Sequence, residues 1–288
     1  MAINLASKYS DQIAEVFTRA SFIKGKTAET YDLTGVKTLK VYTPITVEEV
    51  DYDRDGGLKR YGDVTEMQDV VQELTMTQDK AFTLTIDKGN NLDQNLVKNA
   101  ADMLRLQLNE KSTPAADKYA FKRFVTMAGS IVESAKPTKA NIISKIADAS
   151  QALDDALVPE DVYFLVAHKD AVLMPYKIAD AKVHEDPVGV SGALIEGRHY
   201  YDAYVLGAKC GGVYALVDED CRSSAPTISQ GKITAFGKVR YTLDGSDPRY
   251  SDSAKDYVAG TVLTPETGCK IRAYCVQSGA YPSEVAEG

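Results

Sequence analysis

The first residues in this sequence with a recognisable chemistry form an acidic, glycine-bearing segment. The first half of a calcium-binding loop, D-x-D-x-D-G, is matched by Asp51, Asp53, Asp55 and Gly56, whose carboxylates could ligate a hard cation. The twelfth position of such a loop requires a bidentate glutamate, and here it is Gly62. Neither flank has the pattern of a helix. We therefore interpret the segment as a solvated loop and expect no metal site in it.

The histidines and cysteines are spaced too irregularly to predict a metal or catalytic centre. Neither an HExxH motif nor a CxxC motif occurs among His168, His184, His199, Cys210, Cys221, Cys269 and Cys275. We interpret the histidines as surface or capping residues. The cysteines are expected to be reduced, structural thiols, as is usual for an intracellular protein.

Two glycine-bearing segments approach catalytic motifs but lack essential positions. Residues 189–192 approach a nucleophile elbow, yet Ala193 stands where that motif requires its last glycine, and no strand leads into it. Gly25-Lys26-Thr27 lacks the glycine that precedes it in a phosphate-binding P-loop. The sequence therefore predicts no catalytic residue, no cofactor and no enzymatic activity.

The charge of the chain argues against direct recognition of nucleic acid. The sequence has 33 Lys and Arg against 41 Asp and Glu, a formal net charge of −8, and residues 225–288 contribute nothing to the excess acid. Without a cationic run the chain is poorly suited to gripping phosphates, although a container for DNA remains open. No apolar run approaches the roughly 18 residues of a membrane span. Residues 1–8 lack a secretory signal, so we expect a cytoplasmic product.

The elements that position these residues begin with a long β excursion. A short helix is predicted over residues 3–17 and β structure over residues 31–50. After the loop of residues 51–62, Leu74 and Met76, then Phe82, Leu84 and Ile86, alternate with threonines, which is typical of half-buried strands joined near residues 78–80. A hairpin-like arm of this kind buries little surface against its own body. It therefore indicates that a neighbouring subunit covers it.

Helices and an α+β unit are predicted after this arm. Asn91 and Gln94 form a capping box that starts a helix running to about Lys111, Pro114 ends that helix, and a second helix follows over residues 114–129. A third helix is predicted over residues 142–157. The expected remainder is a buried strand at 163–167, a short helix at 171–176, and paired strands at 200–206 and 213–217.

A change of pattern after residues 223–226 predicts a domain boundary. Beyond it the helical period is absent and turn signals separate short strands at 239–242, 260–263 and 271–276. These strands predict a small β sandwich at the C-terminus.

The order of arm, β excursion, long helix and α+β body resembles the major capsid proteins of tailed phages, which have the Hong Kong 97 fold. The resemblance covers residues 1–222. Segments similar to prophage capsid proteins are MAINLASKYS at 1–10, YDLTGVKT at 31–38, LTMTQD at 74–79, FTLTID at 82–87 and YDAYVL at 201–206.

This resemblance implies a division of the shell domain and a set of partners. Residues 1–50 would be the N-arm, 51–90 the E-loop, 91–138 the spine helix and peripheral part, and 139–222 the axial part. Hexamers and pentamers would form an icosahedral head around DNA, with a separate scaffolding protein and a portal. The implied assembly interface consists of Arg54, Gly56, Gly57, Lys59, Arg60, Tyr61, Phe82 and Leu84. Some capsids of this fold crosslink through an E-loop lysine, and Lys59 is the lysine near the loop tip.

A second resemblance covers residues 224–288. The segment VRYTLDGSDPRYS at 239–251 is similar to the chitobiase and β-hexosaminidase C-terminal-type domain, an immunoglobulin-like module. In this motif Tyr241 closes a core strand, Asp244-Gly245 forms a turn with positive φ, and Asp247-Pro248 fixes the next bend. We interpret these aspartates as turn formers rather than catalysts. The tyrosines of the domain leave a surface contact with glycans open.

The sequence as a whole predicts an α+β capsid shell protein with a small all-β domain on the outer surface of the particle. It would assemble in the host cytoplasm and reside in the virion. Two alternatives remain open. One is a carbohydrate-binding or adhesin protein that acts through residues 224–288, and the other is a nanocompartment shell of the same fold that encloses an enzyme.

Overall fold

The computed structural model describes residues 21–28, 30–31, 37–46, 49–55, 57–64, 66–93, 99–159, 163–164 and 167–288. The helix predicted over residues 3–17, and Gly56 and Gln94 of the predicted sites, lie outside these ranges.

The described chain mixes helices with many strands. The helical segments are α1 (Lys88–Asp93), α2 (Ala100–Gln107), a π-helical turn (Leu108–Ser112), α3 (Thr113–Thr126), α4 (Ile142–Asp155) and short 3-10 turns at Gly57–Lys59, Lys169–Ala171 and Gly207–Gly212. The strands of the first three quarters are β1 (Thr38–Pro44), β2 (Asp69–Thr75), β3 (Gln78–Asp87), β4 (Ser130–Glu133), β5 (Tyr163–Phe164), β6 (Ala167–His168), β7 (Val172–Leu173), β8 (Tyr176–Glu185), β9 (Gly192–Tyr201), β10 (Tyr204–Val205) and β11 (Tyr214–Val217). The C-terminal strands are β12 (Thr227–Ser229), β13 (Lys232–Thr234), β14 (Lys238–Thr242), β15 (Lys255–Asp256), β16 (Arg272–Val276) and β17 (Ala286–Glu287).

The chain forms two compact units, and the first is built on one antiparallel sheet. This unit contains residues 76–124 and 172–204 with the N-terminal residues, and its sheet has the order β3-β9-β8. In β3 the side chains of Leu84 and Ile86 are more buried than those of Thr83 and Thr85, which confirms the predicted alternation. The fully buried side chains of the unit include Ile23, Met76, Ala120, Ile195 and Ala203.

The helical part of the first unit differs from the prediction at both ends. The single helix predicted from Asn91 is instead two helices. α1 starts at Lys88, because Asp87 Oδ1 accepts a hydrogen bond from Asn90 N at 2.9 Å and caps its first turn. α2 starts separately at Ala100, where the extended residue Asn99 is the N-cap and accepts a hydrogen bond from Ala101 N at 2.9 Å. The prediction that Pro114 ends the long helix is also wrong, since the chain stays helical from Ala100 to Thr126. A proline ring clashes with the carbonyl four residues earlier, and the wider π-helical turn before Pro114 accommodates it.

The second unit contains residues 36–75, 125–171 and 205–288. It begins with a hairpin in which β1 and β2 pair from Thr38 opposite Thr75 to Pro44 opposite Asp69. Strand β1 confirms the β structure that is predicted within residues 31–50. Further along the chain, β4 and β11 pair in parallel. The predicted third helix is confirmed as α4, whose buried face packs against Tyr214 of β11.

Residues 227–288 of the second unit form two small sheets with a shared core. The hairpin β12-β13 is one sheet, and the other has the order β15-β14-β16-β17. Both contribute to a cluster that consists of Ile233, Val239, Leu263, Ile271, Ala273 and Cys275. The strands predicted at 239–242 and 271–276 are confirmed and lie side by side. The prediction of a strand at 260–263 is wrong, because these residues pair with no other strand. Leu263 N instead donates a hydrogen bond to the carbonyl oxygen of Gly231, in the turn between β12 and β13.

Several predicted strand pairings are also wrong. β2 pairs with β1, and β3 pairs with β9, so the two threonine-rich strands do not form a hairpin with each other. The strand predicted at 163–167 is instead two short strands, β5 and β6, which pair antiparallel. The helix predicted at 171–176 is wrong, since β7 and the start of β8 occupy those residues. Finally, β11 pairs with β4 and not with the segment 200–206.

Candidate assembly surface

The loop that joins β1 to β2, residues 45–68, carries several exposed apolar side chains, and we call it the hairpin loop. Its ends are held by a hydrogen bond from Ile45 N to Gln68 O of 2.8 Å. Farther out, Asp53 N donates to Arg60 O at 3.1 Å, and the rings of Tyr52 and Tyr61 meet edge to face at 5.0 Å. The loop is therefore folded back on itself, although its side chains point into solvent.

Apolar side chains are concentrated on the hairpin loop without cover from the chain itself. Tyr61 is 86% exposed, Val64 is fully exposed at 101%, and Met67 is 67% exposed. The exposed set on this hairpin continues with Tyr42, Ile45, Val50 and Tyr52. Burying such a side chain is worth about 1.5–3 kcal/mol, so an exposed cluster of this size is typical of an interaction surface.

The predicted interface residues fall into two groups. Arg54, Gly57, Lys59, Arg60 and Tyr61 lie together in the hairpin loop, where Gly57 has a φ of +59° and the Lys59 ammonium pairs with Asp63 at 2.5 Å.

Phe82 and Leu84 belong instead to β3 in the sheet of the first unit. Phe82 lies opposite Gly197 and stacks on the ring of His199 at a centroid distance of 6.0 Å. The structure therefore does not bring these two residues into the hairpin loop. Burial lowers the pKa of His199, so its imidazole is held in the neutral form near neutral pH.

Sequence reasoning missed Val64 and Met67, which are the most exposed apolar residues of the hairpin loop together with Tyr61. A signal was present. Both residues stand singly among charged and polar neighbours in the segment GDVTEMQD, where neither a helical nor a strand period gives them a buried face.

The C-terminal motif forms two consecutive turns. Asp244 Oδ1 accepts hydrogen bonds from Ser246 N at 3.0 Å and from Ser246 Oγ at 2.6 Å, and Gly245 between them has a φ of +76°. Asp247 Oδ1 accepts from Arg249 N at 2.9 Å, and Pro248 is fully buried. Tyr241 lies in β14, where its ring meets that of Tyr257 edge to face at 6.0 Å.

Titratable groups of residues 227–288 serve the packing of the two small sheets. Burial by itself raises the pKa of Asp244, but hydrogen bonds from Ser246 and Ser253 outweigh burial and hold the pKa below its ordinary value. Burial raises the pKa of the Cys275 thiol, whose Sγ contacts Ser224 O at 2.9 Å. All four cysteines are free thiols, as predicted.

A cleft of about 720 Å³ in the first unit is the clearest concave site there. Its wall carries Lys24, Lys80 and Lys111 beside the aromatic rings of Tyr119 and Tyr176, and none of its lining residues is acidic. Burial raises the pKa of Tyr176 to about 12. The cleft therefore offers cations and neutral phenols but no pair of carboxylates for acid–base hydrolysis.

Neither metal ligands nor membrane spans were found where the chain is described. In those ranges no three His, Cys, Asp or Glu side chains come together as a metal site, and Asp53 instead caps its own loop by accepting a hydrogen bond from Asp55 N. No helix in the same ranges is long and apolar enough to cross a bilayer.

Comparisons with known proteins identify the fold. No protein-family model matches the chain, and no curated protein sequence matches it. Among solved structures, a chain of Mycobacterium phage Che8 superposes with a TM-score of 0.58 at 14% identity, over 76% of this chain and 98% of that one. The capsid of the cyanophage P-SCSP1u gives 0.54 at 9% identity, over 75% and 93%. The mature capsid of bacteriophage PhiM1 gives 0.54 at 8% identity, over 75% and 92%. The chain therefore has the fold of the proteins that build phage capsids.

Proposed function

We propose that this chain is a major capsid protein that self-assembles into the hexamers and pentamers of a tailed-phage head and encloses the phage DNA. One observation carries the proposal. The chain has the fold of phage capsid proteins, and the apolar side chains of its hairpin loop are exposed to solvent in the single chain. In a shell, neighbouring copies would bury these side chains.

The parts of the fold suggest roles in such a shell. The β1–β2 hairpin, rather than residues 51–90, would act as the E-loop, and the helical run from Ala100 to Thr126 would contain the spine helix. Of residues 1–50, those that precede this hairpin would supply the N-arm, and residues 139–222 would form the axial part. The segment 224–288 would be an immunoglobulin-like domain on the outer surface. In support, the likeness to the Che8 chain leaves about a quarter of this chain unmatched, which is about the share of residues 224–288.

Assembly in the host cytoplasm would require partners beyond the chain itself. We include a separate scaffolding protein and a portal in the proposal, together with DNA that is enclosed without sequence-specific contacts. The sequence supports the last point, because it has no cationic run of the kind that tight phosphate binding needs. Contact of the outer domain with surface glycans remains a proposal to be tested by glycan binding.

The decisive experiment is assembly of the purified chain, alone and with a scaffolding partner, followed by light scattering and negative-stain imaging. We expect megadalton particles or capsomers. The variant Tyr61→Ala/Val64→Asp should remain folded, because both side chains are exposed in the single chain, but it should assemble at least about tenfold less. Phe236→Ala is the matched control, since Phe236 is 82% exposed in the C-terminal domain.

Different outcomes separate the alternatives. A wild-type chain that stays a strict monomer at high concentration would refute the proposal. Particles that contain a cargo enzyme and no genome would favour the nanocompartment. Glycan affinity that is lost in variants of residues 224–288, with no assembly at any concentration, would favour the adhesin.

A further inference from the structure

Residues 249–252 leave the C-terminal sheets and contact the rest of the second unit, and we call them the latch segment. They follow directly on the two turns of Asp244 to Pro248. These turns therefore place the next four residues outside the strands of the C-terminal sheets.

The first two residues of the latch segment bind the residues that follow α3. The Tyr250 side chain is buried, and its hydroxyl donates to Met127 O at 2.7 Å. The Arg249 guanidinium donates to Ala128 O at 3.1 Å and to Gly129 O at 3.3 Å, while Asp247 pairs with it at 2.8 Å. These carbonyls belong to the three residues that follow α3, which ends at Thr126, and buried backbone carbonyls need hydrogen-bond donors. The latch segment satisfies these groups.

The last two residues of the latch segment bind the root of the hairpin. Ser251 forms an antiparallel bridge with Gln72 of β2, and Asp252 N donates to Val71 O at 2.9 Å. The Asp252 carboxylate also pairs with Lys40 of β1 at 3.4 Å. β2 is therefore hydrogen-bonded on both edges, by β1 on one and by the latch segment on the other.

Gln72 and Gly207 complete this contact. Gln72 is buried, its Nε2 donates to Val205 O at 2.9 Å, and its Oε1 accepts from Gly207 N at 2.8 Å. A Cβ at Gly207 would lie 2.7 Å from Tyr250 Cβ, so only glycine allows Tyr250 to approach this closely. The hairpin root, the 205–207 segment and the latch segment form one packed cluster.

A second attachment holds the C-terminal residues at their other end. Arg222 N donates to the Glu133 carboxylate of β4 at 2.9 Å, and the Arg222 guanidinium donates to Pro282 O and pairs with Glu284. Ser223 N donates to Tyr281 O at 2.9 Å. With two separate attachments, residues 224–288 cannot swing about the chain connection alone.

The geometry points to a second function for residues 224–288: they act as a brace that fixes the direction of the β1–β2 hairpin through the latch segment. A domain carried only for display would need a linker, whereas this one is hydrogen-bonded to the strand that carries the hairpin loop. The purpose of the brace in a shell rests on the proposed function. A fixed root would present the hairpin loop to a neighbouring copy in one direction and lower the entropy lost on assembly.

Hydrogen exchange on the full, unassembled chain tests the brace without reference to assembly. The variant is Tyr250→Phe, which keeps the ring but loses its bond to Met127 O, and a stronger one is Arg249→Ala/Tyr250→Phe. The control is Tyr257→Phe, because the Tyr257 hydroxyl donates to Thr261 O at 2.8 Å and accepts from Ile233 N at 3.2 Å, both within residues 224–288. We expect amides of β2 and residues 127–130 to exchange at least about tenfold faster in the latch variants, and unchanged in the control.

Each outcome decides one question. Unchanged exchange in β2 with the stronger latch variant would overturn the brace, and so would an equal increase with Tyr257→Phe. If the stronger variant does not fold, Tyr250→Phe alone decides. Failure of the wild-type chain to form particles would refute the proposed function and leave the exchange result intact. Faster exchange in β2 together with poorer assembly of Tyr250→Phe would support both.

Discussion

At the scale of single residues, one buried carboxylate organises the core of the first unit. Asp202 is 1% exposed and accepts four hydrogen bonds. Its Oδ2 accepts from Thr77 N and Thr77 Oγ1, both at 2.8 Å, and its Oδ1 accepts from Tyr119 OH and Ala203 N, both at 2.7 Å. A buried charge is tolerated when its lone pairs are filled in this way, and losing the arrangement is costly.

We predict that Asp202→Asn destabilises the chain by about 3 kcal/mol, because the new NH₂ group cannot accept the two bonds made to the oxygen it replaces. Tyr119→Phe removes one donor and keeps the charge, so it should cost about 1 kcal/mol. Urea unfolding with unchanged m-values measures both. Equal losses for the two variants would contradict the central role of the carboxylate.

The depressed pKa of Asp244 gives a pH prediction. A group whose folded-state pKa lies below its ordinary value of 3.8 stabilises the fold above that pH, and the contribution is lost as pH falls from 3.8 through the folded-state pKa. We therefore expect the unfolding free energy of the wild type to fall more steeply below about pH 4 than that of Asp244→Asn. Ser253→Ala should flatten the profile in part, because Ser253 Oγ donates to Asp244 Oδ2 at 2.7 Å. Parallel profiles for all three proteins would contradict this.

How far single residues can be predicted depends on the sequence distance of their partners. The Asp244 and Asp247 turns involve residues two apart, so a short motif contains the whole interaction. The partners of Asp202 lie 83 and 125 residues away, and its neighbours in sequence give no sign of them. The latch residues Arg249 and Tyr250 were missed for the same reason, since their acceptors lie just after α3.

At the scale of elements, periodicity predicts a strand but not its partner. Alternation with threonine correctly indicates β3, yet β3 pairs with β9, more than a hundred residues later, rather than with the adjacent β2. Similarly, the residues predicted as one strand at 163–167 belong to two antiparallel strands, β5 and β6, which hydrophobicity alone cannot reveal.

Phe82 of β3 and Gly197 of β9 make one close contact in this ladder, and we predict that mutation reveals its energetic coupling. A Cβ at Gly197 would lie 2.3 Å from the Phe82 ring, so the ring lies directly over the glycine. Gly197→Ala should therefore cost about 2 kcal/mol. In a Phe82→Ala background the same change should be nearly neutral, because the added methyl group has room.

A double-mutant cycle by urea unfolding measures this coupling. The Leu84–Ile195 pair is the next pair on the same face of the sheet and serves as the comparison. Leu84→Ala should not reduce the loss of unfolding free energy that Gly197→Ala causes. An equal cost of Gly197→Ala in all three backgrounds would mean that the strain arises elsewhere in β9.

At the scale of the whole molecule, the hairpin loop is one surface of the described chain on which apolar side chains stay exposed. Its apolar side chains are exposed in the single chain, and its root is hydrogen-bonded on both edges of β2. A loop with a fixed root and an apolar surface is suited to bind the same surface on each neighbouring copy in a shell. Many modest contacts of this kind add up to a stable particle. Access to this loop should therefore differ between the unassembled chain and a particle.

Trypsin tests that access directly. Arg54, Lys59 and Arg60 are exposed in the hairpin loop, and exposed loop tips are preferred sites of proteolysis. We predict that trypsin cleaves the unassembled chain at these residues and cleaves assembled particles there at least about tenfold more slowly, because neighbouring copies cover the loop. Particles that are dissociated under mild conditions should regain the cleavage, which controls for adhering material. Cleavage at the same rate in intact particles would mean that the hairpin loop stays exposed in the shell, and that the contacts between copies are made elsewhere on the chain.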